Sequence, residues 1–459
     1  MKAAHRVVSL VGVGVVVLGG ALVAQRNSTV PQPQAAKLPA IGPATPNRGA
    51  LVDRPSGVMP AAPAGFTVGV YAELQGPRMM VYAPNGDLFV SSPSTNSITV
   101  LRDANHDGVF EARGVYAQGE PPAGRGAPPP AGRLGGPPPP INPTINGAIL
   151  GAAAPACVEP PAFNNRGPGT VAAPFGMAFH DGYLYVGNTG SLVRFKYANG
   201  DLQAQGAPEK LLDLPVGGHS TRNIVFNRAG TKLYMSVGSQ SNNNAGEDCR
   251  RAAILEFNPD GSGYRVYASG IRNPVGLTLQ PGTDIVWTAM NERDNLGDDL
   301  VPDYATSVKD GGFYGWPYSY IGSNYDPRYV GAFPDLVKRA IVPDVLIPSH
   351  SAALGMTFYT GTQFPARYRN GGFVALHGSW NRSVASGYKV AFFPMAKGRP
   401  GPLEDFLTGF IVDDGSGGEQ VSRWGRPVGV TVAPDGSLLV SDDGSHRIWK
   451  ISAAGAGTR

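Results

Sequence analysis

Apolar and polar residues alternate with a period of two in short runs that come in pairs, each pair joined by a turn that contains glycine. Six stretches share this cadence: PRMMVYAPNGDLFVSS (77–92), PFGMAFHDGYLYVGN (174–188), TRNIVFNRAGTKLYMSVGS (221–239), PVGLTLQPGTDIVWTAMN (274–291), LGMTFY with RNGGFVALHGS (354–379) and PVGVTVAPDGSLLVSDD (427–443). Alternation at this period marks half-buried strands. Asn-Gly and Asp-Gly between them are hairpin signals, read here as turns with positive φ at both central residues. Several units run on into a further strand, as in SITVLRDANHDG, RAAILEFNPDGSG, YKVAFFP and RIWKIS. A small sheet repeated six times cannot bury its faces alone but can do so against its neighbours. The pattern predicts an all-β fold: one six-bladed β-propeller over 67–453, with TVGVYAEL (67–74) completing the last blade. A β-sandwich or a pair of unrelated β domains is the alternative left by the irregular spacing of the units.

Composition supports a turn-dense β protein, with 63 Gly, 43 Pro and only 16% charged residues in 459. The net charge of +4 is mild, and Lys and Arg are scattered rather than clustered, which argues against nucleic acid as a partner. Residues 1–24 read as a signal peptide or N-terminal anchor, because Lys2, His5 and Arg6 precede the uncharged run VVSLVGVGVVVLGGALVA. The expected location is therefore the periplasm or the exterior, with residues 7–24 as a membrane tether if they are not cleaved. Residues 25–66 are rich in Pro and Ala and read as a linker. A Pro/Gly-rich, low-complexity insert at 117–149 interrupts an early blade. Cys157 and Cys249 are the only cysteines; in an oxidising compartment they are either a disulfide or two buried thiols.

In a propeller, residues just before each innermost strand converge on one face. Here they are Arg78, Pro174, His219 with Arg222, Arg272 with Asn273, His350 and Arg426. Taken singly each arginine is an ordinary solvated loop residue. As a set, several guanidinium groups around one funnel call for an anion to offset their repulsion. The loop NERDNLGDDLVPDY (291–304) is the acidic counterpart: Glu292, Asp294, Asp298, Asp299 and Asp303 offer hard oxygen donors of the kind Ca²⁺ takes. They could equally cap the loop, and backbone carbonyls could equally be the ligands.

The run from GGHSTRNI through AAILEFNPDGSG, YASGIRNPVGL, NERDNLGDDLVPDY and SVKDGGFYGWPYSYIG closely resembles the sorbosone/glucose dehydrogenase family of pyrroloquinoline quinone (PQQ) enzymes. FPARYRNGGFVALHGSWNRSVASGYKV, PLEDFLTGF and GRPVGVTVAPDG continue the likeness, which is nearest to the sorbosone dehydrogenase branch. The resemblance implies PQQ and Ca²⁺ as cofactors, a small-molecule sugar as substrate, and a quinone or cytochrome as electron acceptor. It implies His219 as the base that takes the proton of the sugar's hydroxyl while hydride passes to the quinone. Arg272 and Asn273 would face the quinone oxygens, with Arg272 stabilising developing charge. Arg426, and Asn381 or Arg382, would pair with cofactor carboxylates, and carbonyls around Arg293 and Asp294 would hold Ca²⁺. Trp316, Tyr318 or Trp380 would cover the flat cofactor. One departure stands out: where relatives are expected to carry carboxylates near the base, this chain has Gly218 and Ser239. Two other functions compete with this one, a Ca²⁺-dependent lactone hydrolase and a non-enzymatic propeller that binds glycans or proteins.

Overall fold

The computed structural model describes residues 37–47, 49–105, 110–120, 166–412 and 422–455. The N-terminal apolar run, Cys157 and nearly all of the Pro/Gly-rich insert lie outside the described residues. Among the described residues no helix is long and apolar enough to cross a membrane.

The six sequence units are six sheets, four of four strands and two of five, arranged as a six-bladed β-propeller. Blade 1 runs from Met80–Tyr82 through Leu88–Ser92 and Ser97–Arg102 to Ala112–Gln118. Blade 2 begins at Pro174–His180, blade 3 at Ile224–Phe226, blade 4 at Asn273–Leu279, blade 5 at Ala353–Phe358 and blade 6 at Pro427–Val432. The ring closes as the pattern predicted: Phe66–Glu73 pairs antiparallel with Arg447–Ala453, from Phe66 opposite Ala453 to Glu73 opposite Arg447. Because the first and last strands share one sheet, the propeller cannot open without breaking that ladder.

Apolar side chains from adjacent blades fill the wedges between sheets. Trp287, Phe358 and Phe393 pack between blades 4 and 5, and Phe373, Trp424 and Trp449 between blades 5 and 6. Burying each such side chain stabilises the fold by roughly 1.5–3 kcal/mol. Around the channel the innermost strands pack backbone to backbone. A Cβ at Gly276, Gly355 or Gly429 would overlap the carbonyl of Leu354, Val428 or Arg78 in the next blade. The recurring Gly in PVG, LG and PVG is thus a spacing requirement.

The turns differ from expectation. In the motifs Ala83-Pro84-Asn85-Gly86 and Ala433-Pro434-Asp435-Gly436 only the glycine has positive φ, at 90° and 83°. The Gly N–H donates to the carbonyl three residues back, Ala83 at 2.9 Å and Ala433 at 2.9 Å. Proline just before Asn or Asp fixes a right-handed φ and selects a type I turn, with glycine following it.

The segment read as a linker is seated on the propeller from residue 37 onward. Leu51 bridges to Arg423 and Ala61 to Thr408, and Leu38 packs beside Leu296 and Leu300.

Candidate active site

His219 lies half-buried in the loop that leads to blade 3. Its backbone N–H donates to Ser239 O at 3.0 Å, and its ring Nδ1 lies 2.8 Å from the same carbonyl and 3.1 Å from Ser239 Oγ. A carbonyl only accepts, so Nδ1 carries the proton and Nε2 keeps its lone pair. Ser239 Oγ donates to Ser241 O at 2.7 Å, which leaves its own lone pair toward the ring. Ser239 therefore does the orienting that a carboxylate would do elsewhere. Gly218 also has a steric reason: its φ is +62°, and a Cβ there would overlap the Gln240 backbone. A carboxylate side chain therefore cannot stand at position 218.

Two buried arginines hold the loop from behind. Arg222 donates to the carbonyls of Pro215, His219 and Thr221, and Arg251 to those of Val216 and Gly238. Arg222 is thus turned away from the funnel, contrary to its expected place among anion-seeking groups, because its partners are main-chain oxygens of its own loop. Burial first, and then the charge of Arg272, lower the His219 pKa from 6.5 to about 3. The ring is neutral throughout the ordinary pH range.

Gly238 admits the next residues, since a Cβ there would overlap both His219 and Asn273. Asn273 Nδ2 donates to Asn291 Oδ1 at 2.7 Å, while its Oδ1 is buried without a partner. Arg272 is buried, and Nε, Nη1 and Nη2 donate to Asn242 O at 2.9 Å, Glu292 O at 2.8 Å and Asn242 Oδ1 at 3.0 Å. The Asp294 carboxylate lies 3.8 Å from Arg272 Nη2 and 3.3 Å from His350 Nδ1. His350 Nε2 lies 2.9 Å from Gly297 O. With a carboxylate facing one nitrogen and a carbonyl the other, the charged form of His350 is favoured. Burial opposes that charge, but Asp294 outweighs it and the His350 pKa is raised. The Asp294 carboxyl, pushed up by burial, is pulled down further by His350 and Arg272 and stays ionised.

The rest of the acidic loop builds structure. Arg293, fully buried, binds Glu292 at 2.9 Å, Asp326 at 2.9 Å and the carbonyls of Pro317 and Ser319. Its guanidinium faces away from the rim, so only its backbone is free to serve a cation. Asp303 accepts from the backbone of Glu292 and Ala353, Asp298 from Ser383, and Asp299 pairs with Arg382 at 2.8 Å. That pairing engages Arg382 away from the role the resemblance implied, whereas neither Asn381 nor the terminal nitrogens of Arg426 have a protein partner among the described residues. Among the described residues no group of three or more His, Cys, Asp or Glu side chains forms a metal cage.

Across the rim the structure adds residues that the chain pattern did not single out. Asp443 pairs with Arg78 at 2.6 Å and with His377 Nε2 at 2.8 Å, and Arg426 Nε donates to His377 O at 3.2 Å. Burial lowers the His377 pKa to about 4 in spite of Asp443. HGS and SDD were visible as strand ends, but only the closure of blade 6 beside blade 5 brings them together. Arg78 and Arg272 thus find their counter-charges inside the protein, at Asp443 and Asp294. Among the described residues Arg426 makes no hydrogen bond through its terminal nitrogens, and Asn381, with no exposed surface, has both amide atoms unpartnered. A buried amide left unsatisfied is costly, and the Arg426 nitrogens and Asn381 Nδ2 are donors of the kind that a carboxylate accepts from. Of the aromatics, Trp316 donates to Asn242 O and Tyr318 packs on Tyr329 and Phe333. Both belong to the core, whereas Trp380 is half-exposed beside Asn381. Cys249 is disulfide-bonded.

A six-bladed propeller whose inner rim joins a neutral histidine to buried Arg, Asn and Asp defines a class of ligand-binding propeller, and comparison with known proteins narrows it. The family model described as Glucose / Sorbosone dehydrogenase matches residues 186–379, and one described as TrAA12-like matches 337–454. An uncharacterized protein of Borreliella burgdorferi is 30% identical over 299 residues, covering 61% of this chain and 76% of that protein. The pyrroloquinoline quinone-dependent pyranose dehydrogenase of Coprinopsis cinerea is 28% identical over 300 residues, 51% of this chain but 39% of that longer protein. The solved holo form of the PQQ domain of pyranose dehydrogenase from Coprinopsis cinerea superposes with a TM-score of 0.62 at 20% identity, over 88% of this chain and 99% of that one. The chain belongs to the glucose/sorbosone dehydrogenase family.

Proposed function

We propose that this protein is a PQQ- and Ca²⁺-dependent dehydrogenase that oxidises an aldose or a sugar aldehyde such as sorbosone. The observation that carries the reading is the His219 ring: neutral, locked by Ser239 into the tautomer with a free Nε2, and set beside Arg272 and Asn273. When bound, PQQ supplies a two-electron acceptor for hydride and Ca²⁺ an ion that polarises it. Arg426 and Asn381 would hold the cofactor's carboxylates, Arg272 and Asn273 its quinone oxygens, and the carbonyls of Arg293 and Asp294 the cation. His219 Nε2 accepts the proton of the substrate hydroxyl, and Nδ1 stays bonded to Ser239, so the charge that forms on the ring is spread toward a carbonyl. The paired Asp294 and His350 keep that end of the rim rigid. Names of the relatives support the cofactor: a calcium structure of a Trichoderma reesei family AA12 enzyme and a PQQ-bound aldose sugar dehydrogenase of Streptomyces coelicolor are among the structural neighbours. Lactone hydrolysis is disfavoured, because it requires several side-chain carboxylates on one ion and here Glu292, Asp298, Asp299 and Asp303 are each engaged elsewhere. Electrons would leave to a quinone or cytochrome in the periplasm.

Purified cofactor-free protein given PQQ and Ca²⁺ is expected to reduce a redox dye with aldoses or sorbosone, and to lose PQQ on chelation of Ca²⁺. No saturable PQQ binding, or lactone opening without dye reduction, would overturn the reading.

A further inference from the structure

The N-terminal segment that composition marks as a linker crosses the mouth of the propeller and touches three loops in succession. Gly42 N–H donates to Leu296 O at 3.0 Å, with Gly42 lying against Gly297. Gly297 O is the acceptor of His350 Nε2, and His350 in turn fixes Asp294. Five residues on, Asn47 donates from its backbone to Trp380 O at 2.9 Å and from Nδ2 to Ser383 O at 2.8 Å. These two carbonyls bracket Asn381 and Arg382. Next, Arg423 N–H donates to Ala50 O and Val52 N–H to Arg423 O, both at 2.9 Å, three residues before Arg426.

Blades 4, 5 and 6 thus each present one loop to the segment, and each loop carries a residue of the proposed cofactor face. The attachment is by hydrogen bonds and not by a buried apolar stripe: Ile41, Leu51 and Val52 are 53%, 52% and 36% exposed. A segment that adds little core yet ties three separate loops together acts on their relative position. The far end is fixed too, through the Ala61–Thr408 bridge and the closing strand Phe66–Glu73.

We propose that residues 42–47 and 49–52 are a brace that holds the three mouth loops in register for the cofactor, with Asn47 as its central positioning residue. The proposal rests on the PQQ reading for what the loops hold, but not for the brace itself. Ordering the loops beforehand lowers the entropy lost when a ligand binds them, so the brace acts on affinity.

The test uses the full chain with Asn47→Ala, which removes the side-chain bond, and Asn47→Pro, which removes the backbone bond as well. One hydrogen bond of ordinary strength leads to a PQQ dissociation constant raised about 3–10-fold for Asn47→Ala, and further for Asn47→Pro. Turnover at saturating PQQ is expected to stay near wild type. Hydrogen exchange of the PQQ-free protein should quicken in 294–300, 379–386 and 422–426 and stay unchanged in the strands of blades 4 to 6. Unchanged loop exchange with unchanged PQQ affinity would overturn the brace. So would quickened exchange throughout the blades with a lowered melting temperature, which would make the segment a stability element. Quickened loop exchange in a protein whose wild type binds no PQQ would leave the brace standing and remove the cofactor reading.

Discussion

The charge of Arg272 holds down the basicity of His219, and this can be measured without cofactor or substrate. Burial is the larger cause of the fall from 6.5 to about 3, and Arg272 is the next. A like charge close to an ionisable group disfavours its charged form. The ring is only half-buried, so removal of Arg272 should recover on the order of one pH unit, equivalent to about 1.4 kcal/mol. Two substitutions separate charge from shape. Arg272→Gln keeps a planar amide but loses the charge; Arg272→Lys keeps the charge but loses the forked donors that reach Asn242 and Glu292. A titration followed by NMR of histidines labelled at Cε1, with His219→Asn to assign the resonance, should place the wild-type midpoint well below 6.5. The midpoint should rise in Arg272→Gln and hold in Arg272→Lys. A wild-type midpoint near 6.5, or an equal rise in both variants, would refute the electrostatic reasoning.

Other consequences can be checked independently. His219→Asn should keep PQQ binding and lose turnover by about two to four orders of magnitude, the usual size of general-base catalysis; unchanged turnover in a dye-reduction assay would remove His219 from the reaction. Asn381→Ala deletes a buried amide that has no partner, so the melting temperature should change little while PQQ affinity falls about tenfold, roughly 1.4 kcal/mol; a large thermal loss with full affinity would make Asn381 structural. Arg293→Met strands Glu292 and Asp326 in the interior and should cost about 3–5 kcal/mol in denaturant unfolding, whereas a wild-type midpoint would show that those carboxyls are otherwise satisfied. His219 and His377 both have folded-state pKa values below 6.5, near 3 and 4, so the unfolded chain takes up protons first. Their stabilising effect is complete above pH 6.5 and declines as pH falls toward 4; urea midpoints in His219→Asn and His377→Asn that fall with pH as steeply as wild type would contradict this.

The site divides by the distance over which its parts are assembled. His219, Arg272, Asn273 and Asp294 could be picked out because each adjoins the start or end of a predicted strand, where propeller geometry sends chains to the rim. His377 and Asp443 lie in stretches equally easy to read, yet nothing local tells that blades 5 and 6 press them together. Arg222 and Arg293 look along the chain like their neighbours. Their side chains are claimed by main-chain carbonyls and by buried Glu292 and Asp326, partners that only folding supplies. Gly218 reads as a missing carboxylate in one dimension and as a contact with Gln240 in three.

Period-two alternation, recurring glycine and six repeats by themselves pointed to the propeller, because strands, turns and hairpins arise from pairing rules that act within a few residues; the closing strand followed from the need of a ring of blades to be completed, and pairs Phe66 with Ala453 at the other end of the described chain. The tertiary structure alone decided which arginines are already neutralised, how Ser239 fixes the His219 ring, and that the described part of the Pro/Ala-rich segment is seated on the loops of blades 4 to 6. Each of these depends on groups far apart in the chain meeting at hydrogen-bond distance, and polarity patterns carry no record of such meetings.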